Sequence, residues 1–314
     1  MEIGRKTANN KKKRNVMRKE NGELFVLQIP AIVYVFIFCY LPMVGLIIAF
    51  KDYKFDLGIF GSKWNGLNNF KYLFGSQTFY TLIRNTIGYN FASIFIGMAV
   101  SAVLAFMLEV LTSKWAIKIY QSSMFLPVFL SWVVVSYISY ALLAVDTGMI
   151  NSILKHFGKD SISFYSETKY WPFILIFFGV WKGFGQTTLI YYGTLMSVDR
   201  EIIEAAELDG CGYISRIIYI MLPHLKQTMI MMFILSIGGI FRSDFGLFFY
   251  LPKDTGALYS VTDVLDTYIM RSLRFSANVG MSSAAGFLQS IVGFVTVVTV
   301  NKIVNKIDKE SAIY

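Results

Sequence analysis

The sequence predicts an all-α membrane protein with six transmembrane helices, and three observations carry that prediction. The 314 residues are 55% hydrophobic and only 16% charged, with a mean hydropathy of +0.54, whereas a soluble chain averages about 25% charged. Six apolar runs reach the roughly 20 residues that a helix needs to cross a bilayer. None alternates with the period of two that a barrel strand would show, so each span must satisfy its backbone internally as a helix.

A basic tail, residues 1–24, precedes the first span at 25–50. The run from Leu24 to Phe50 is too long for a secretory signal and lacks a small-residue cleavage site after it. A loop, 51–80, follows; Gly58, Gly61, Gly66 and Trp64 make it either a docking surface or a plain connector. The remaining spans are read at 81–108, 120–144, 171–196, 228–250 and 281–301, giving a membrane domain over 25–304 and a short tail at 305–314. In the sixth span Gly280, Ala284, Gly286 and Gly293 offer flat patches for another helix, expected in a partner chain.

Lys and Arg set the orientation. The side holding both termini carries 16 basic residues against 10 in the opposite loops, which places the termini in the cytoplasm. The net charge of +9 needs no nucleic-acid partner, because the basic residues flank spans where anionic lipid headgroups attract them. Cys39 lies in a span and Cys211 in a cytoplasmic loop, so they do not pair, and neither has metal-ligand spacing with His156 or His224.

A polar island, "EAAELDGCGYISRIIYIMLP" from Glu204 to Pro223, interrupts the apolar pattern inside a cytoplasmic loop, 198–226. Asp199 can cap a helix through "REIIEAAEL", with Glu201 at the positive end of its dipole. Gly210 can stop it in the left-handed conformation. A second piece, "YISRIIYIM", then leads to Pro223, read as the re-entry toward the fifth span. Ile202, Ile203, Ala206, Ile214, Ile217 and Ile218 are apolar where water is expected, so the helix either lies on the membrane surface or docks into a groove.

The spacing of Glu204, Ala205 and Ala206, then Asp209 and Gly210, then Ile220, Leu222 and Pro223 resembles the EAA loop of binding-protein-dependent ABC importer permeases. "WKGFGQTTLIYYGTL" and "NVGMSSAAGFLQSIVGF" resemble the sugar-importer branch, and "LPMVGLIIAFKDYKFDLGIFGSKWNGLNNF" resembles Firmicute permeases for complex oligosaccharides and polysaccharides. Ile217 departs from the family, where an aromatic is frequent. The resemblance implies a type I importer fold in a bacterial cell membrane. It also implies a second permease, an ABC ATPase dimer that binds ATP and Mg, and an extracellular solute-binding protein that delivers a carbohydrate. The chain has no GxxxxGK[ST] phosphate loop, so it needs no cofactor of its own and is no enzyme by itself. By the same resemblance Glu204 would pair with a basic group of the ATPase, Ala205 and Ala206 would allow close approach, and Gly210 would permit the turn.

Polar groups inside spans are costly and so mark candidate pathway residues. These are Asn85, Tyr89 and Asn90, then Tyr137 with Tyr140, then Trp181, Lys182 and Gln186, then Arg242 and Asp244, and finally Gln289. Aromatic planes beside amides suit sugars, although Tyr and Trp also form interfacial belts. For Lys182, in the "WKGFG" stretch, a structural role against a neighbouring helix is the favoured reading. Arg242 and Asp244 would point to different faces of the fifth helix, so they are not expected to pair with each other, and bonding of either to the partner subunit is the alternative. Within the spans Arg84, Lys182 and Arg242 outnumber Asp244, which tolerates an acidic sugar, but the external loops add no such bias. An ion-coupled secondary transporter is the alternative class, without an evident inverted repeat to support it.

Overall fold

The computed structural model describes residues 25–274 and 278–307; the tail at 1–24 and most of that at 305–314 fall outside them. Helix α1, Phe25–Phe50, is exposed throughout 25–44 and packs only from Gly45 onward. It passes through Pro42 by a π-turn at Phe36–Tyr40, where Leu41 N–H reaches back to Phe36 O. A proline lacks the donor of a normal turn, and the wider turn before it absorbs the mismatch. A short hairpin follows, β1 (Lys51–Asp52) antiparallel to β2 (Lys63–Trp64), then α2 (Asn68–Gly75).

Helix α3, Gln77–Glu109, starts four residues before the predicted span because Ser76 caps it, accepting from Phe79 N–H. It lies along α7 (Trp171–Leu195), the longest packing in the chain. Between them come α4 (Lys114–Phe129), α5 (Trp132–Leu143) and α6 (Met149–His156). The predicted span 120–144 is therefore not one helix: α4 and α5 meet at 99°. Pro127 weakens the end of α4, and Ser131 opens α5 by accepting from Val134 N–H.

Helix α8 (Arg200–Leu208) precedes α9 (Tyr213–Gly238). The predicted re-entry at Pro223 is corrected here, since α9 runs through Pro223 with a π-turn at Ile217–Met221 and Leu222 N–H bonded to Ile217 O. The predicted fifth span 228–250 is corrected as well. Its helix stops at the Gly238–Gly239 pair, and α10 (Phe245–Tyr250) begins separately under an Asp244 cap. Then α11 (Leu265–Arg274) leads to α12 (Val279–Ile307). Among the described residues five helices are long and apolar enough to span a membrane, six if the bent α4–α5 pair is one span. Among the described residues the small hairpin is the only sheet.

Three buried clusters hold the bundle. One gathers Tyr89, Val135, Trp171, Phe178 and Phe248; a second joins Ala105, Tyr191, Leu195, Met221 and Leu225; a third joins Leu73, Leu82, Leu265 and Ala285. Small residues allow the close approaches. A Cβ on Gly185 would stand 2.0 Å from Met124 O, so α4 and α7 touch backbone to backbone there. On α12 the expected patches are used within the chain: Gly280 abuts Asn69, Ala284 is fully buried, and Gly293 faces Gly238 O. Only Gly286 has open space beside it.

Gly185→Ala should destabilise the fold by about 1–3 kcal/mol through overpacking, read as a lower thermal midpoint of the detergent-purified protein. Gly193→Ala on the same helix, where a Cβ meets nothing within 4 Å, should leave the midpoint within error.

Candidate functional site

The sequence singled out two regions, and the structure gives each a geometry. The first is the polar loop over 198–226. Asp199 accepts from Glu201 N–H and starts α8. The helix closes with Gly210 at φ 77°, Gly210 N–H on Glu207 O and Cys211 N–H on Ala206 O. That double bond with a left-handed glycine is a Schellman closure, which needs no Cβ at that position. The result is a short rigid helix with none of its side chains buried: Leu208 is 90% exposed and Ile202 53%, and Glu204, Ala205 and Asp209 face outward as well.

The loop is exposed but not loosely attached. Arg216 pairs with Glu207 across the turn, and Tyr213 donates to Phe106 O at 2.7 Å, pinning the start of α9 to the end of α3. Thr194 and Thr228 hydroxyls lie 3.1 Å apart, and Ser197 Oγ is 3.0 Å from His224 Nε2, so α7 and α9 are bonded to each other on either side of α8. The buried Tyr191, Leu195, Met221 and Leu225 pack the same two helices together just beyond. Leu222 and Pro223 belong to this junction and remain exposed. A push on α8 therefore reaches two spans at once.

The second region surrounds the two broken spans. At the α4–α5 break, Lys182 of α7 donates to Pro127 O (3.2 Å), Val128 O (2.9 Å) and Leu130 O (2.7 Å). Three ammonium protons thus serve three carbonyls at the bend, of which Pro127 O also accepts from Leu130 N–H. At the break after α9, Asn90 of α3 donates to Ile240 O and Arg242 O, and Gln289 of α12 donates to Phe241 O. Asp266 of α11 accepts from Ser243 N–H at 2.7 Å and from Gln289 at 3.2 Å. Burial pushes the Asp266 carboxyl above the usual carboxylate range, against the lowering by these two donors and by Arg242. Trp132 joins the breaks: its ring lies under Lys182 at 5.4 Å and its Nε1 donates to Asp244 Oδ2 at 2.7 Å.

Two adjoining cavities, of ≈ 290 and ≈ 310 Å³, open on this network and share Asn90, Ser93, Gly179 and Gly183. Arg242 stands on the wall of the first; Trp132, Lys182, Gln186 and Asp244 stand on the second. The structure thus brings Asn90, Lys182, Gln186, Arg242 and Asp244 together and leaves the other candidates apart. Asn85 donates to Ser260 O and Asp263 O, and Tyr89 donates to Val261 O at 2.6 Å, tying α3 to the loop after α10. Trp181 packs on the large cluster, and Tyr137 is 69% exposed. Arg242 and Asp244 are not on a helix as expected but in the break itself. Sequence reasoning passed over Asp266, Ser243 and Trp132; the signals were the Gly238–Gly239 pair and the Pro127-to-Ser131 spacing.

Comparison with known proteins follows from this geometry. Residues 97–308 match the family described as "Binding-protein-dependent transport system inner membrane component". The polygalacturonan/rhamnogalacturonan transport system permease protein YteP of Bacillus subtilis is 32% identical over 287 residues, covering 91% of this chain and 89% of that one. The arabinooligosaccharides transport system permease protein AraP of the same organism is 29% identical over 56% of each chain. A permease-sized chain in the crystal structure of a bacterial ABC transporter that imports the acidic polysaccharide alginate superposes with a TM-score of 0.84 at 29% identity, covering 92% of this chain and 97% of that one.

Removing the Lys182 ammonium should take the side-chain donor from Val128 O and Leu130 O and leave Pro127 O with Leu130 N–H alone. Lys182→Met is expected to cost about 2–5 kcal/mol, seen as a clear drop in thermal midpoint and in the yield of folded protein. Asn90→Leu, which strips two carbonyls, should show a smaller loss of the same kind.

Proposed function

The chain belongs to the family of binding-protein-dependent transport system inner membrane components, and from that premise we propose how its two regions divide the work. It is a multi-pass permease subunit of a carbohydrate ABC importer. Relatives named for polygalacturonan, arabinooligosaccharide and alginate transport support an oligosaccharide cargo. A solved relative in complex with an alginate pentasaccharide-bound periplasmic protein supports delivery by a binding protein.

In this reading α8 is the coupling helix. It docks into a cleft of an ATPase subunit that binds ATP and Mg²⁺, with Glu204 toward a basic group and Ala205 and Ala206 at the closest approach. Asp209 and Gly210 set the turn. Exposure of Leu208 at 90% on a helix closed at both ends is the observation that carries this assignment, because an apolar surface held rigid and unburied suits a protein groove. ATP-driven movement of the cleft carries α8, and the bonded α7–α9 pair moves with it. The bundle then rocks between an inward-open and an outward-open packing, a two-state switch whose balance each ligand shifts by its preference for one state. A second permease faces this one, and the cargo passes along the cavities at the broken spans. The basic balance of the loops supports cytoplasmic termini in a bacterial cell.

The test is ATP hydrolysis by the co-expressed assembly in lipid, with and without glycan-loaded binding protein. Glu204→Lys and Gly210→Trp should abolish the stimulation while all subunits still co-purify. Gly210→Asn, which tolerates a positive φ, should retain most of it. Stimulated turnover that survives both disruptive changes, or a permease that purifies with no ATPase, would contradict the coupling role.

A further inference from the structure

The ionised side chains of the spans are not equivalent once their partners are known. Arg84 donates to Ser260 O at 2.9 Å and to its neighbour Asn85. Lys182 spends its protons on three carbonyls. Asp244 accepts from Trp132 through Oδ2 and from Gly246 and Leu247 N–H through Oδ1. All three are committed to holding the chain together.

Arg242 is different. Its main-chain carbonyl is taken by Asn90, but its guanidinium forms no hydrogen bond or ion pair among the described residues. It is exposed and stands on the cavity wall. Asp266 acts on it through the field only: that carboxylate is bonded to Ser243 and Gln289 and is not part of the wall. The break holds Arg242 in place, since Asn90 fixes its carbonyl and Asp266 fixes the next amide. A guanidinium presents five donors in a planar fork that matches a carboxylate with two parallel bonds. An exposed guanidinium on a cavity wall, with no partner among the described residues, keeps its fork available for a ligand anion. Beside it, Ser93, Thr187 and Asn90 supply neutral hydrogen-bonding groups, and Gly183, where a Cβ would meet nothing within 4 Å, leaves flat backbone where a sugar ring can lie.

Resting on the carbohydrate-importer reading above, we propose that the cargo is an acidic glycan, and that Arg242 selects it by pairing with a sugar carboxylate in this cavity.

The experiment uses the complete assembly in proteoliposomes, with ATP inside and the binding protein saturated outside. The probes are short oligogalacturonides and their methyl esters, which keep the ring hydroxyls and lose the charge. The same binding protein serves wild type and variants, so a change in the acid-to-ester uptake ratio belongs to the permease. Wild type should favour the acid. Arg242→Gln should lower the ratio about tenfold or more, and Arg242→Lys, which keeps the charge without the fork, should recover part of it. An unchanged ratio in Arg242→Gln, or a wild type indifferent to esterification, overturns the proposal. If Arg242→Gln fails to assemble, Arg242→Lys decides: an unchanged ratio there overturns the proposal too. ATP-driven uptake of neutral glycans alone sinks this inference and spares the importer reading, whereas a wild type that moves no glycan with ATP sinks both.

Discussion

Every carbonyl and amide within the hydrocarbon must find a partner inside the protein, and the architecture around the cavities is the consequence of breaking that rule and repairing it. Two of the apolar runs do not continue as helices, one bending by 99° after Phe129 and the other ending at Gly238. Each break frees main-chain groups whose desolvation costs several kcal/mol apiece. The repair comes from polar side chains of neighbouring elements: Lys182 at the first break, and at the second Asn90 and Gln289 from spans and Asp266 from the short α11. These residues cannot be relocated independently of the breaks, so the position of the polar network and the position of the irregular backbone are one fact.

The network also explains why the cavities lie where they do. Irregular backbone at membrane depth is tolerated where it lines a polar space or is buried in protein. Trp132 bridges the two repairs, with Lys182 on its face and Asp244 on its Nε1, and a Cβ on Gly246 would collide with its ring. The walls on that side are therefore set by hydrogen bonds and by a packed indole, not by loose apolar contact, and that rigidity is what a selective pathway requires.

Much of this was legible in the sequence. Apolar length located the spans that run unbroken, and the ends of α8 followed from Asp199 and Gly210, because caps and left-handed glycines are local chemistry. The polar residues inside spans were also visible, including Lys182 in its structural role. What could not be read was which of them serve the fold and which face the cavity. Asn85 and Arg242 look alike as polar residues in apolar runs, yet one is consumed by Ser260 and Asp263 and the other is not. That distinction depends on contacts between residues about 150 to 180 apart in the chain, which no local pattern encodes. The hydropathy window failed at the breaks for a related reason. Phe245 to Tyr250 is as apolar as a span, so composition alone extended the fifth helix across Arg242 and Asp244.

The two regions are mechanically continuous. From α8 the bonded pair α7 and α9 rises into the bundle. On α7 the same helix carries Lys182 and the glycines of the cavity wall, and α9 ends at the break that carries Arg242. Movement of the pair as a unit would shift both walls relative to the bonds that close the breaks. Packed interfaces resist gradual deformation and switch between discrete arrangements. The side chains that satisfy the backbone are thus also those that would have to exchange or hold partners in such a movement. A residue such as Asn90, bonded to the main chain of the break and exposed to the cavity at once, sits where stability and transport cannot be tuned separately.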